Sequence, residues 1–178
     1  LLDLVAGSTF NSNVYTININ PTSKEIQTTQ VTARSLPMGG LSTCNDYLAI
    51  GDYGATSNAA IHTYTITQDG SLSELASVVP DSSATHVYYL AKCCHGNPQY
   101  LLAGIGNGTT YTVYVYEPDL STLITQQAIG EYVDSVAWSP TGYNTNLGIT
   151  YQQGGAQAGR IYELRLSPAQ LIDLGATM

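Results

Sequence analysis

Short apolar runs recur along the chain. Each is followed by a turn rich in Gly, Ser, Asn and Thr, and then by a segment in which aromatic or aliphatic residues alternate with small polar ones. The runs Leu4-Val5-Ala6-Gly7, Leu48-Ala49-Ile50-Gly51, Leu101-Leu102-Ala103-Gly104 and Leu147-Gly148-Ile149-Thr150 are variants of one apolar strand. The alternating segments are Val14-Tyr15-Thr16-Ile17, Ile61-His62-Thr63-Tyr64-Thr65-Ile66, Tyr111-Thr112-Val113-Tyr114-Val115-Tyr116 and Ile161-Tyr162-Glu163-Leu164. Such alternation predicts strands. No window places apolar residues at helical spacing over the ten or so positions a helix needs. The one helix-like start, Ser167-Pro168, opens a segment too short to change the class.

The leading leucines Leu4, Leu48, Leu101 and Leu147 are spaced by 44, 53 and 46 residues. A period of that size, built from short strands, predicts an all-β chain of four-stranded antiparallel blades, a β-propeller or part of one. About four blade-like units follow, at roughly 1–33, 34–80, 81–130 and 131–178. The second unit reads as strands over 36–43, 47–51, 61–67 and 72–79, with Asp69-Gly70 as a hairpin turn. The third reads as 86–92, 100–104, 111–117 and 120–128, the fourth as 133–138, 146–151, 160–166 and 170–174. The first unit offers only 2–6, 14–18 and 25–32, so it lacks an inner strand. Propellers close into rings that remove exposed edges. The pattern therefore predicts that a protein partner, self-association or a further segment closes the ring.

Composition narrows the function classes. Charged residues make up only 10% of the chain, against a usual quarter, and 14 Tyr stand beside one Phe and one Trp. Tyr and uncharged polar residues suit pleated sheet faces. Five Lys+Arg against 13 Asp+Glu give a net charge of −8. Such a balance repels a phosphate backbone and an anionic membrane surface, so neither nucleic acid nor lipid is an expected partner. No run reaches the roughly 20 apolar residues of a membrane span. Leu1-Leu2-Asp3-Leu4-Val5 shows neither the basic region nor the cleavage site of a signal peptide, and no targeting pattern assigns a compartment.

Candidate chemistry is sparse. Cys93-Cys94-His95 clusters three metal-capable residues, but structural zinc sites separate paired cysteines by two to four residues, and neighbouring strand positions face opposite ways. Aligning the units puts Cys44, Cys93 and Ser139 at the end of the inner strand, where a small side chain packs. Free thiols are the expectation, with a Cys44–Cys93 bridge the alternative in an oxidising compartment. Asn107-Gly108-Thr109 matches the glycosylation acceptor pattern in a surface turn. No nucleophile elbow, phosphate loop or HExxH helix is present. His62, His86 and His95 are scattered, and Asp134 beside Ser135 on an inner strand faces the channel or the next blade. No catalytic, cofactor-binding or metal residue is assigned. The tyrosines of the third strands (Tyr15, Tyr64, Tyr111, Tyr114, Tyr116, Tyr162) are expected mostly between blades as core.

Val133-Asp134-Ser135-Val136-Ala137-Trp138-Ser139-Pro140-Thr141-Gly142, followed by Leu147-Gly148-Ile149, resembles the inner strand, turn and second strand of WD-repeat-like propellers. The run from Ile61 to Leu72 is similar to blades of seven-bladed lactonase-like propellers. WD repeats typically end the third strand with Trp-Asp and carry a Gly-His pair. The corresponding places here read Asn20-Pro21, Thr67-Gln68, Glu117-Pro118 and Ser167-Pro168, and the one Trp lies on an inner strand. A repeat architecture with no convergent acid, base and nucleophile points to a non-enzymatic scaffold for protein binding or self-assembly, and the WD resemblance implies such partner binding as a class expectation. The lactonase resemblance implies the alternative, a hydrolase, for which Asp134, His86 and Arg34 are the available polar residues.

Overall fold

The structure, a computed structural model, describes the chain apart from residues 1, 8–11, 21, 45–46, 68–70, 93–99, 131, 139–145, 154–155 and 177–178. The described strands form four antiparallel meanders, each running in chain order. The first sheet has three strands, β1 (Leu2–Gly7), β2 (Asn13–Ile19) and β3 (Ile26–Ala33). The second comprises β4 (Met38–Cys44), β5 (Tyr47–Asp52), β6 (Ile61–Ile66) and β7 (Leu72–Val78). The third comprises β8 (His86–Lys92), β9 (Leu101–Gly106), β10 (Tyr111–Tyr116) and β11 (Leu123–Ala128). The fourth comprises β12 (Tyr132–Trp138), β13 (Asn146–Gln153), β14 (Ala156–Leu166) and β15 (Ala169–Ala176). The chain is thus all-β and forms part of a propeller, with the first sheet one strand short.

The inner strands β4, β8 and β12 pack against one another in succession, and β1 packs on β4. Each junction between sheets has its own core. Val14, Met38, Leu48 and Ile50 fill the first, while Ile61, Val87, Leu101, Ala103 and Ile105 are among those filling the second. Leu102, Val113, Val115, Val133, Leu147 and Ile149 lie in the third. Strand alternation explains how one strand serves two cores: on β9, Leu101, Ala103 and Ile105 face the second sheet while Leu102 faces the fourth. An apolar run without polar interruption is what a strand covered on both faces requires. The same division operates on β10, where Tyr114 and Tyr116 enter one core and Tyr111, Val113 and Val115 the other. Each fully buried Leu or Ile contributes about 1.5–3 kcal/mol of transfer free energy. Trp138 ties inner strands together by donating its Nε1–H to the Ala91 carbonyl at 3.1 Å.

Two series of bulges repeat from sheet to sheet. On the inner strands the register shifts between Met38 and Leu41, Val87 and Tyr89, and Val133 and Ser135. The extra residue is one of Gly39 and Gly40 on β4, Tyr88 on β8 and Asp134 on β12. On the outer strands Thr29, Leu75, Ile124 and Leu174 are left unpaired at corresponding places. A bulge re-aims the side chains beyond it. Predicted boundaries move most at two places: the third strand of the fourth sheet starts at Ala156, not at Arg160, and the outer strand of the third sheet starts at Leu123, not at Leu120. Asp119 Oδ1 accepts the Ser121 N–H at 3.0 Å and Leu120 takes a positive φ of 63°, which holds residues 118–121 in a turn.

Candidate functional site

The end of β5 and the starts of β4, β6, β8, β10 and β12 lie at one end of the sheets, with the loops 34–37, 53–60 and 79–85 beside them. Main-chain bonds weld these loops together. Tyr53 N–H donates to Pro37 O at 2.9 Å, Ala55 N–H to Thr85 O at 3.0 Å and Ala59 N–H to Ala84 O at 2.9 Å. This face therefore presents its side chains from a fixed backbone.

Four charged groups meet there. Arg34 Nη2 donates to Asp52 Oδ1 at 2.6 Å, and both side chains are over nine-tenths buried, with 8% and 9% exposed. Asp52 Oδ2 also accepts the Ala60 N–H at 3.1 Å and contacts His62 Nε2 at 3.4 Å. The other ring nitrogen of His62, Nδ1, lies 3.0 Å from Glu74 Oε1. The bulge at Leu75 explains that contact: it pairs Tyr64 with Glu74 and so brings Glu74 to the face of His62 and Tyr64. Burial pushes the Asp52 carboxyl up, but the bonds from His62 and Ala60 and the charges of His62 and Arg34 outweigh it and hold the group below 3.8. The bond to Asp52 raises the His62 imidazole above 6.5, against burial, with Glu74 helping. Burial also raises the Tyr64 phenol, an effect partly offset by Arg34.

Beside this network runs a row of rings drawn from three sheets. Tyr53 meets His86 edge-on at 4.2 Å between centroids, and His86 stacks on Tyr88 at 5.1 Å. Tyr88 contacts Tyr111 at 5.7 Å and Tyr132 at 5.1 Å, and these two lie 5.3 Å apart. Edge-to-face pairs of this kind contribute about 0.5–1.5 kcal/mol beyond burial. Tyr88 is the bulge residue of β8, which places its ring at the centre of the row. Burial first, then the hydroxyls of Tyr111 and Tyr132, push its phenol far up, so it stays neutral. Burial lowers the His86 imidazole. Tyr53, at 38% exposure, is the outward end of the row.

The sequence-derived candidates fall into separate places. Arg34 is committed to Asp52, while His86 Nδ1 lies 2.6 Å from Thr85 Oγ1. No hydrogen bond joins Arg34 to His86 among the described residues. Asp134 occupies the β12 bulge, and its side chain lies outside the described residues. Cys93, Cys94, His95 and the side chain of Cys44 also lie outside them, as do the Asp69-Gly70 and Pro140-Thr141-Gly142 turns. Tyr114, Tyr116 and Tyr162 are buried in the sheet junctions, while Tyr111 joins both core and ring row.

Asn107 has a structural task. Its Oδ1 accepts from Thr109 N, Thr109 Oγ1, Thr110 N and Thr110 Oγ1 at 2.9–3.1 Å. Removing these bonds in Asn107→Ala is expected to cost about 1 kcal/mol, read as a lower thermal midpoint.

Sequence reasoning missed Asp52, Glu74 and Tyr53. For Asp52 a signal existed, since a carboxylate closing the apolar run Leu48-Ala49-Ile50-Gly51 needs a compensating partner once buried.

Among solved structures the chain is similar to β-propellers. It superposes on Sqt1 of Saccharomyces cerevisiae with a TM-score of 0.72 at 14% identity, covering 98% of this chain and 47% of that one. The Cps50 (Swd1) β-propeller domain from Myceliophteria thermophila gives 0.66 at 15% identity, covering 92% and 50%. The periplasmic gluconolactonase PpgL of Pseudomonas aeruginosa gives 0.67 at 14%, covering 97% and 55%. WD40 and lactonase-like propellers thus both appear, as the sequence resemblance implies. The chain spans about half the length of these structures. No protein-family model and no curated protein sequence matches it.

Proposed function

We propose that this chain is a non-enzymatic propeller scaffold, and that the face carrying Tyr53, His86, Tyr88 and Tyr132 holds a protein partner. The observation that carries this reading is the ring row. Five rings from three sheets stand in mutual contact on a rigid loop frame, and the outermost is exposed. Tyrosines in such a setting bring large contact area at small entropic cost and dominate binding where they occur in interfaces. The acid and base groups of the same face neutralise one another, which favours recognition over proton transfer. The reading extends to assembly: a further strand, from a partner or a second copy, pairs with the edge of β1.

The test compares wild type with Tyr53→Ala and with Leu123→Ala, an exposed outer-strand control. Tyr53→Ala is expected to weaken partner capture at least about tenfold, with Leu123→Ala unchanged. Equal capture by all three removes the assignment of this face. The gluconolactonase among the fold neighbours supports lactone hydrolysis as a second reading. Metal-dependent turnover of a lactone by the folded chain would put that reading first.

A further inference from the structure

We propose that His62 is a proton-operated latch: as an imidazolium it joins the outer strand β7 to the loop face, and loss of its proton undoes the β7 side. The geometry demands two donors. Both ring nitrogens face carboxylate oxygens, Nε2 to Asp52 at 3.4 Å and Nδ1 to Glu74 at 3.0 Å. A carboxylate only accepts, and a neutral imidazole has a single N–H, so both contacts are attractive together only when the ring carries two protons.

The described groups facing the ring come from every neighbouring element. Arg34 approaches from the 34–37 loop, Asp52 from β5 and Glu74 from β7, while Tyr64 on β6 stacks at 6.4 Å. Arg34 opposes the charge, and the two carboxylates outweigh it. When the proton leaves, one ring nitrogen turns a lone pair toward a carboxylate. The two sides respond differently. Asp52 is buried and held by Arg34 and Ala60 N–H, whereas the Glu74 side chain is 49% exposed and swings into water. The remaining proton therefore stays on Nε2, and β7 loses its tie to β5.

The sign follows from the raised imidazole. The latch is fully closed below the ordinary value of 6.5 and opens as pH climbs through the higher folded value.

Nitrogen-15 NMR of the imidazoles, assigned by difference with His62→Gln, tests it on the free chain. The midpoint of His62 is expected above 6.5, with both nitrogens protonated on its acid side. Glu74→Gln, an exposed change that leaves the fold intact, is expected to move that midpoint down. Above the midpoint, amide protection factors along β7 are expected to fall about threefold, with His62→Gln removing the step. A midpoint at or below 6.5, or one indifferent to Glu74→Gln, overturns the latch.

Discussion

Gly39→Ala is expected to destabilise the chain by about 3 kcal/mol, at the upper end of overpacking costs, and to lower the thermal midpoint by about 6–12 °C. The cause is the approach of β4 to β8. A Cβ at Gly39 would overlap the Val87 carbonyl oxygen and stand 3.1 Å from Tyr53 Cδ2. Gly40 is similarly confined, its Cβ position lying 2.8 Å from Leu90 N and 2.9 Å from the Tyr89 carbonyl carbon. These are mostly backbone atoms, which no rotamer change can move aside, so relief requires the two inner strands to separate. The bulge of β4 sits at the same two glycines, and Gly51 across from it would overlap Val87. Gly148→Ala is the matched control: no described atom lies within 4 Å of its Cβ position, and the change is expected to stay within about 0.5 kcal/mol of wild type. Urea or thermal unfolding of the two variants decides the matter. A Gly39→Ala protein as stable as wild type would mean that β4 and β8 do not approach this closely. The same variant bears on binding, because the displaced strand directly follows Pro37, whose carbonyl fixes the Tyr53 amide.

The parts of this structure that depend on near neighbours in sequence are legible in the sequence itself. Turn residues, two-residue alternation and a recurring Leu-rich run are local signals, and they place the strands and the missing inner strand of the first sheet. The bulges were not legible, because an extra residue is defined only against its partner strand. Leu75 reads as an ordinary outer-strand residue until Tyr64 is seen opposite Glu74. The charge network depends on that register. Arg34, Asp52, His62 and Glu74 come from a loop and three strands, and no spacing rule joins them. The ring row is nonlocal in the same way. Tyr88 looks like any strand tyrosine, yet its bulge and the neighbouring sheets turn it into the hub of four ring contacts. The absence of Trp-Asp and Gly-His pairs predicted a blade without its usual buried polar support. The second sheet supplies other residues: an Arg on the loop entering the blade and an Asp ending its second strand.

Asp52→Asn isolates the contribution of that support and is expected to cost about 3–5 kcal/mol, the range for removing one partner of a buried ion pair. The amide keeps the shape of the carboxylate but leaves the Arg34 guanidinium buried without a counter-charge. Arg34 Nη1 has no hydrogen-bond partner among the described residues, so Asp52 carries the compensation for that charge. Arg34→Met in the Asp52→Asn background removes the stranded cation and is expected to recover part of the loss. The four proteins form a cycle whose coupling term measures the pair itself. The pH dependence provides an independent reading. In wild type, Asp52 stabilises above its ordinary value of 3.8, and that contribution is lost as pH falls through its depressed folded value. His62 contributes fully below 6.5 and loses its share as pH rises through its raised value. Stability from this cluster therefore peaks between these limits. Asp52→Asn removes the titrating carboxyl and the largest cause of the His62 shift at once, so both slopes are expected to flatten in thermal melts taken from pH 3 to pH 9. Retention of both slopes in the variant would locate the titrating groups elsewhere in the chain.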